Sequence, residues 1–372
     1  MKTGRNDKCW CGSGKKFKRC HYGRENETPV SKGEAIGHSQ KNASRKYCYA
    51  PADLKHECSQ KIINAHTVSK SSSLKEIADE SNHVLGLKIN FANIARNKGE
   101  LIPEKIGINK ASTFKGFCSK HDKSLFSCIE DREFIGDEEQ CLALMCRSVA
   151  KEIYAKEGGL HTSDFAKNSD KGKSLLVQML IQKFAANHET GTNAALAELS
   201  NLKSQLDDQL LGKSIGNLSH LIIDSTSPMP VAVSSIIAPM NDFDGNLIQD
   251  LGDLNIVAEH LVFNSFSSDG KGYVVFSWSK NSTKVLSFIE SLLALEPKKI
   301  FSALIRFFFG VAENTFISPI WWDSLSDEQK DKINGLIMSG ISPFEPNNDN
   351  LLVDDGVNFS GWNIGSIRKI NF

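Results

Sequence analysis

Apolar residues are sparse at the start of this chain and return further along in two different rhythms. Residues 25–46, within RENETPVSKGEAIGHSQKNASRK, are polar, include Pro29 and lack a periodic apolar pattern, which predicts a linker. From Asp137 the period is helical. DEEQCLALMCRSVAKEIY opens with acidic residues suited to a helix amino end and places Cys141, Leu144, Met145, Ser148 and Val149 on one face, so Cys141 and Cys146 read as core packing. SLLVQMLIQKF and AALAELSNLKSQLDDQLL continue the habit, with Leu199, Leu202, Leu206 and Leu210 at helical spacing. Residues 137–215 are therefore expected to form two or three long antiparallel helices, their leucine stripe serving as a core or as a homo-oligomer seam.

Near Leu218 the period shortens to that of strands. HLIID, VAVSSIIAP, HLVFNSF and GYVVFSWS are rich in β-branched and aromatic residues, and NDFDGN and SSDGKG between them are turn signals. STKVLSFIESLLAL and PKKIFSALIRFFFGVA then supply two helices to cover one face of a small antiparallel sheet. Residues 216–372 thus form an α+β domain, and α+β is the expected fold class of the whole. The adjacent Trp321 and Trp322 point in different directions on any regular element, so either both pack against the sheet or one marks a binding surface.

Composition narrows the setting. The chain has 372 residues, room for two or three domains, and its 44 basic and 44 acidic residues cancel, so no global field points to nucleic acid or membrane. The first 24 residues are different: Lys2, Arg5, Lys8, Lys15, Lys16, Lys18, Arg19 and Arg24 face only Asp7. That segment is either a solvated charge run or a docking surface for a polyanion such as nucleic acid. No stretch reads as a signal peptide, and none reaches the roughly 18 apolar residues of a membrane span. IFSALIRFFFGVA carries Arg306 in its middle and reads as a buried helix. Nine cysteines without a signal peptide predict a cytoplasmic, reducing setting, where clustered cysteines bind metal more readily than they form disulfides.

The chemistry concentrates in GRNDKCWCGSGKKFKRCH, Gly4 to His21. Zinc takes four soft or borderline ligands in a tetrahedron. Cys9 and Cys11 flank Trp10, Gly12 and Gly14 are free to take positive φ and turn the thiolates towards one point, and Cys20 with His21 supplies a second pair. Adjacent ligands do not share a helix face, which places Cys20 and His21 at a helix end or turn. A bound Cys3His site carries a formal charge near minus one, which the intervening lysines offset. Residues 1–24 are too few to bury a core, so metal binding supplies on the order of 10 kcal/mol of their folding free energy.

Through GRND, CWC, GSGKKFK and the closing CH, these residues closely resemble the SEC-C motif, a zinc-binding segment found at the carboxyl end of the bacterial preprotein translocase ATPase and attached to many otherwise unrelated bacterial proteins. The resemblance implies Cys9, Cys11, Cys20 and His21 as zinc ligands in a bacterial protein. In the translocase the motif contacts a chaperone and the ribosome, so it also implies docking onto a protein or ribonucleoprotein partner. Here the motif lies at the amino end, and no ATPase motor follows. GKS at Gly172 to Ser174 lacks the upstream glycine of a phosphate loop.

Residues 47–136 are rich in cysteine and histidine and suggest a second zinc subdomain. FCSKHD sets Cys118 and His121 three apart, while CSQKIINAH offers Cys58 and His66 as a looser pair, for which Cys48 is an alternative member. Around His66, IINAHTVSKSSSLKEIA loosely resembles the ββα-metal core of HNH nucleases. That resemblance implies His66 as a catalytic general base acting on water beside a phosphate-stabilising metal, with Asn82 or His83 as later members and a role as an effector in antiphage defence. Ala65 stands where that family usually has an acidic residue. NDFDGNLIQD, with Asp242, Asp244 and Asp250, has its glycine too early for a calcium loop and reads as a turn.

Overall fold

In a computed structural model of the chain, residues 3–87, 97, 100–214, 216–253, 256–341 and 349–372 are described. The fold is α+β and divides into two compact units: residues 1–47 with 153–202, and residues 48–152 with 203–372. Helix α1 (Lys32–Ala43) lies in the stretch expected as a linker. Its start is set by a capping box in which the Ser31 hydroxyl accepts from the Glu34 amide and the Glu34 carboxylate accepts from the Ser31 amide. It is not free of the rest of its unit: Asn42 donates to the Gly158 carbonyl at 2.9 Å, and His38 stacks on Phe165 at 4.3 Å. A polar segment without apolar period can be held this way, through side-chain hydrogen bonds and ring contacts that hydropathy does not register.

Following the short helix α2 (Ser119–Glu130), the two long helices are α3 (Glu138–Ala166) and α4 (Leu175–Leu210), and each passes from one unit into the other. Within the first unit they form a hairpin: Ser163 bonds His188, and Lys167 pairs with Glu189. The face marked by Cys141, Leu144, Met145, Ser148 and Val149 is buried, and Leu199 and Leu206 of the leucine stripe are buried as well. Burial pushes the thiols of Cys141 and Cys146 far above their ordinary value, consistent with packing rather than chemistry.

The second unit is built on an antiparallel sheet of eight strands, larger than the turn signals implied. Its centre is β5 (Leu218–Ser225), β6 (Val231–Ile237), β7 (Leu261–Ser268) and β8 (Lys271–Ser279). The edges come from β10 (Ile364–Ile370) on one side and from β9 (Thr315–Ile317), β2 (His83–Gly86) and β3 (Glu104–Gly107) on the other. Side chains alternate between two covered faces. Leu221, Ile223, Val274 and Phe276 join the core beneath α5 (Thr283–Ala294) and α6 (Pro297–Val311), whereas Ile222, Tyr273 and Val275 pack with Phe134, Cys141 and Leu144. Both faces are covered, so the central strands are buried along most of their length, polar positions such as Ser219, His220, Asn264 and Ser277 included. Helices were expected on one face; α3 covers part of the other.

Arg306, in the middle of α6, is 2 % exposed and pairs with Asp354 at 3.5 Å and Asp355 at 3.7 Å, which makes the buried reading of that apolar run compatible with a charge inside it. Trp321 is buried and donates from Nε1 to the Ser360 carbonyl, while Trp322 is half-buried. Asp242 accepts from the amides of Asp244 and Asn246, the turn expected in place of a calcium loop.

Phe307 is fully buried among Phe243, Phe263, Phe276 and Phe288, with ring centroids 4.5–6.2 Å apart. Phe307→Ala is expected to cost about 3–5 kcal/mol, read as a lower urea midpoint at unchanged slope. His220 on β5 is fully buried with Nδ1 2.8 Å from the Ser277 hydroxyl, and burial lowers its pKa from 6.5 to about 4. The folded state therefore resists a proton that the unfolded chain takes up below pH 6.5. Stability should be full above that value and decline by up to about 3 kcal/mol as pH falls towards 4. Denaturation midpoints of wild type and His220→Gln across this range check it: the wild-type decline should exceed that of the variant.

Candidate metal centres

The amino-terminal knuckle is assembled by turns. Lys8 and Lys16 form an isolated antiparallel bridge, the Cys9 amide donates to the Lys15 carbonyl at 2.8 Å, and Gly12 and Gly14 take φ of 78° and 71° as the turn requires. Cys20 terminates a single 3-10 turn over Phe17–Arg19 and directs its thiol back towards the loop. The result is a convergence of Cys9, Cys11, Cys20 and His21, whose ligand atoms all lie within 4.8 Å of one another. His21 Nδ1 is 3.2 Å from the sulfurs of both Cys9 and Cys20, and the sulfurs of Cys11 and Cys20 are 3.5 Å apart. A tetrahedral site with Zn–S near 2.3 Å and Zn–N near 2.0 Å spaces its donors at roughly 3.5–3.8 Å, so the set fits zinc.

Burial pushes the Cys9 thiol up to about 12, whereas at Cys11 burial, the largest single influence, is more than offset by hydrogen bonds with Ser13, Cys9 and Cys20 together, which hold that thiol below its ordinary value. A divalent cation would supply the charge that ionises a thiol so reluctant by itself. Trp10 lies against the His21 ring at 4.4 Å, while Lys15, Lys16, Lys18 and Arg19 are exposed around the rim.

One decisive residue carried no signal in the sequence. Asp170, in the turn between α3 and α4, has no exposed surface, and its Oδ2 lies 2.8 Å from His21 Nε2. A carboxylate can only accept there, so the proton sits on Nε2 and the lone pair of Nδ1 faces the thiols. Arg24 Nε donates to the other carboxylate oxygen at 2.6 Å, and Gln182 Nε2 donates to Oδ2 at 2.7 Å. This is the carboxylate–histidine arrangement that orients a ring for a metal. Nothing in the spacing of Asp170, 149 positions from His21, could have marked it.

The second convergence joins Cys48, Cys58, Cys118 and His121, again with all ligand atoms within 4.8 Å. It differs from the expected set in one position: His66 does not belong to it, and Cys48 stands in its place. Strand pairing gives the reason. β1 (Ile62–His66) runs antiparallel to β4 (Thr113–Cys118), with Ile62 opposite Cys118 and His66 opposite Thr113. His66 is thus four residues along the ribbon from Cys118, about 13 Å at strand rise. Cys48 lies beside the correct end, because the Tyr49 amide donates to the Gly116 carbonyl and the Cys118 amide to the Cys48 sulfur.

His66 sits with Nε2 3.1 Å from the Ile108 carbonyl, and burial lowers its pKa. With Nε2 spent on that carbonyl, no metal donor set among the described residues includes it. The carbonyl of Asn82 accepts from the Ile108 amide, and His83 Nδ1 is 2.8 Å from the Ser81 carbonyl, so both serve the turn into β2. Both four-residue clusters are compatible with zinc.

If Asp170 orients the ligand ring, Asp170→Asn should weaken zinc binding at the knuckle by about 10–100-fold in competition with a chromophoric chelator, with helix content unchanged by circular dichroism. Equal affinity in wild type and variant would remove Asp170 from that role.

Comparison with known proteins agrees with the geometry of the first site. Residues 5–23 match the SEC-C motif. A stretch of 27 residues is 79 % identical to the protein translocase subunit SecA of Chloroflexus aggregans (strain MD-66 / DSM 9485), covering 7 % of this chain and 3 % of that protein. No solved structure matches. No helix among the described residues is long and apolar enough to cross a membrane. The likeness is thus confined to the knuckle: residues 5–23 are a SEC-C motif carrying the Cys9, Cys11, Cys20 and His21 cluster.

Proposed function

We propose that this chain is a zinc-dependent interaction protein whose amino-terminal knuckle, with zinc held by Cys9, Cys11, Cys20 and His21, docks onto a protein or ribonucleoprotein partner. The observation that carries the reading is an unusual surface in the same unit as the knuckle. Leu175, Leu176, Val177, Met179, Leu180 and Phe184, in the first turns of α4, are between 38 % and 68 % exposed. Six large apolar side chains in ten positions are a costly surface to leave in water, and such patches mark contact sites. The helix that carries them also carries Gln182, which bonds Asp170 and so reaches the zinc-facing histidine.

Zinc would act structurally here: with four protein donors the site has no open position for a substrate, and its chemistry is to hold the loop in shape. The exposed Lys15, Lys16, Lys18 and Arg19 add a basic rim suited to an acidic or phosphate-bearing surface. The motif's likeness to a segment of a protein translocase subunit is in keeping with a role in protein interaction.

The test is a pull-down with three baits: the full chain, Cys9→Ser and the double variant Leu180→Lys with Phe184→Lys. A partner retained by wild type should fall about 10-fold or more in yield with Cys9→Ser and after chelation, and should also be weakened by the helix variant. An unchanged partner list across all three baits would sink the reading.

A further inference from the structure

We propose that Cys48, Cys58, Cys118 and His121 hold a second, purely structural zinc ion that fastens the loop before β1 to the start of α2. The donors come from three places in the chain. Cys48 precedes and Cys58 terminates a 3-10 segment over Ala52–Glu57, Cys118 ends β4, and His121 lies in the first turn of α2. Cys118 and His121 are all but inaccessible, at 0 % and 1 % exposed, and Cys48 is 6 % exposed. Cys48 Sγ is 3.4 Å from His121 Nδ1, close to the roughly 3.5 Å between sulfur and nitrogen donors on one tetrahedral zinc.

All three cysteines are free thiols. Three thiols and an imidazole drawn from separate segments match zinc better than magnesium or calcium, which prefer oxygen. The surroundings suit bound thiolates: the Cys118 amide donates to Cys48 Sγ at 3.4 Å and the His121 amide to Cys118 Sγ at 3.5 Å, the latter at a helix amino end. Lys55 donates to the Cys48 carbonyl, and the Ser119 amide donates to the Lys61 carbonyl at 3.0 Å, so the loop and the helix start are also joined by backbone. Four protein donors close the site, which makes it a staple and not a centre for catalysis. It is independent of the docking reading, which uses only the first cluster.

Metal content of the full chain purified without added metal separates the possibilities. Wild type should carry two zinc ions, one for each cluster, and Cys9→Ser should keep one. Cys48→Ser should lose one, and His66→Ala should retain both. Since Cys48→Ser is at risk of misfolding, the Cys9→Ser protein is also alkylated under native conditions and its peptides weighed. Cys48, Cys58 and Cys118 should resist modification until a chelator is added and then react at least 10-fold faster. A Cys9→Ser protein without zinc, with a chelator-insensitive alkylation rate, would overturn the proposal. A His66→Ala protein that lost one zinc would overturn the ligand set.

Discussion

A carboxylate with no exposed surface is tolerable only when its charge is answered, and at Asp170 three side chains answer it. His21, Arg24 and Gln182 come from two distant parts of the chain, so that one buried charge decides where the amino-terminal turn sits within its own unit. A knuckle of about twenty residues has no core, and unattached it would rely on metal alone for its fold. The Asp170 contact supplies a second anchor and, in the same stroke, selects the tautomer that turns Nδ1 towards the thiols. Metal geometry and docking within the first unit are therefore one problem with one solution.

The second unit solves a different problem. Its sheet buries both faces, with Leu221 and Ile223 towards one layer of helices and Ile222 towards the other, so packing alone provides ample apolar burial. The ribbon of β1 and β4 is short, at five and six residues, and a two-stranded ribbon is marginal by itself. Its local support is Phe117 packed edge-on against Phe114 and Phe126, and beside it the cluster around Cys118. Cys118 and His121 are buried among one another and with Cys48, whereas Cys141 is buried as a plain hydrophobe against Phe134 and Ile222.

Several features of the chain were determined by local sequence. Gly12 and Gly14, the close Cys9 and Cys11 pair and the adjacent Cys20 and His21 belong to a turn whose geometry depends on neighbours only, so the first cluster is legible without a structure. The buried helix faces and the central strands are legible for the same reason, because their periods of 3.6 and 2 are local quantities. Other features were decided by pairing over long separations. Whether Cys48 or His66 joins Cys118 depends on which end of an antiparallel ribbon faces the helix, and the register of β1 against β4 settles it. Asp170 becomes the partner of His21 only because the turn between two long helices closes onto the knuckle, and the apolar start of α4 counts as surface and not core only once its packing is known. Sequence spacing sets which residues are near along the chain; which residues share a point in space is fixed by strand register and helix packing, and neither is a property of any short stretch.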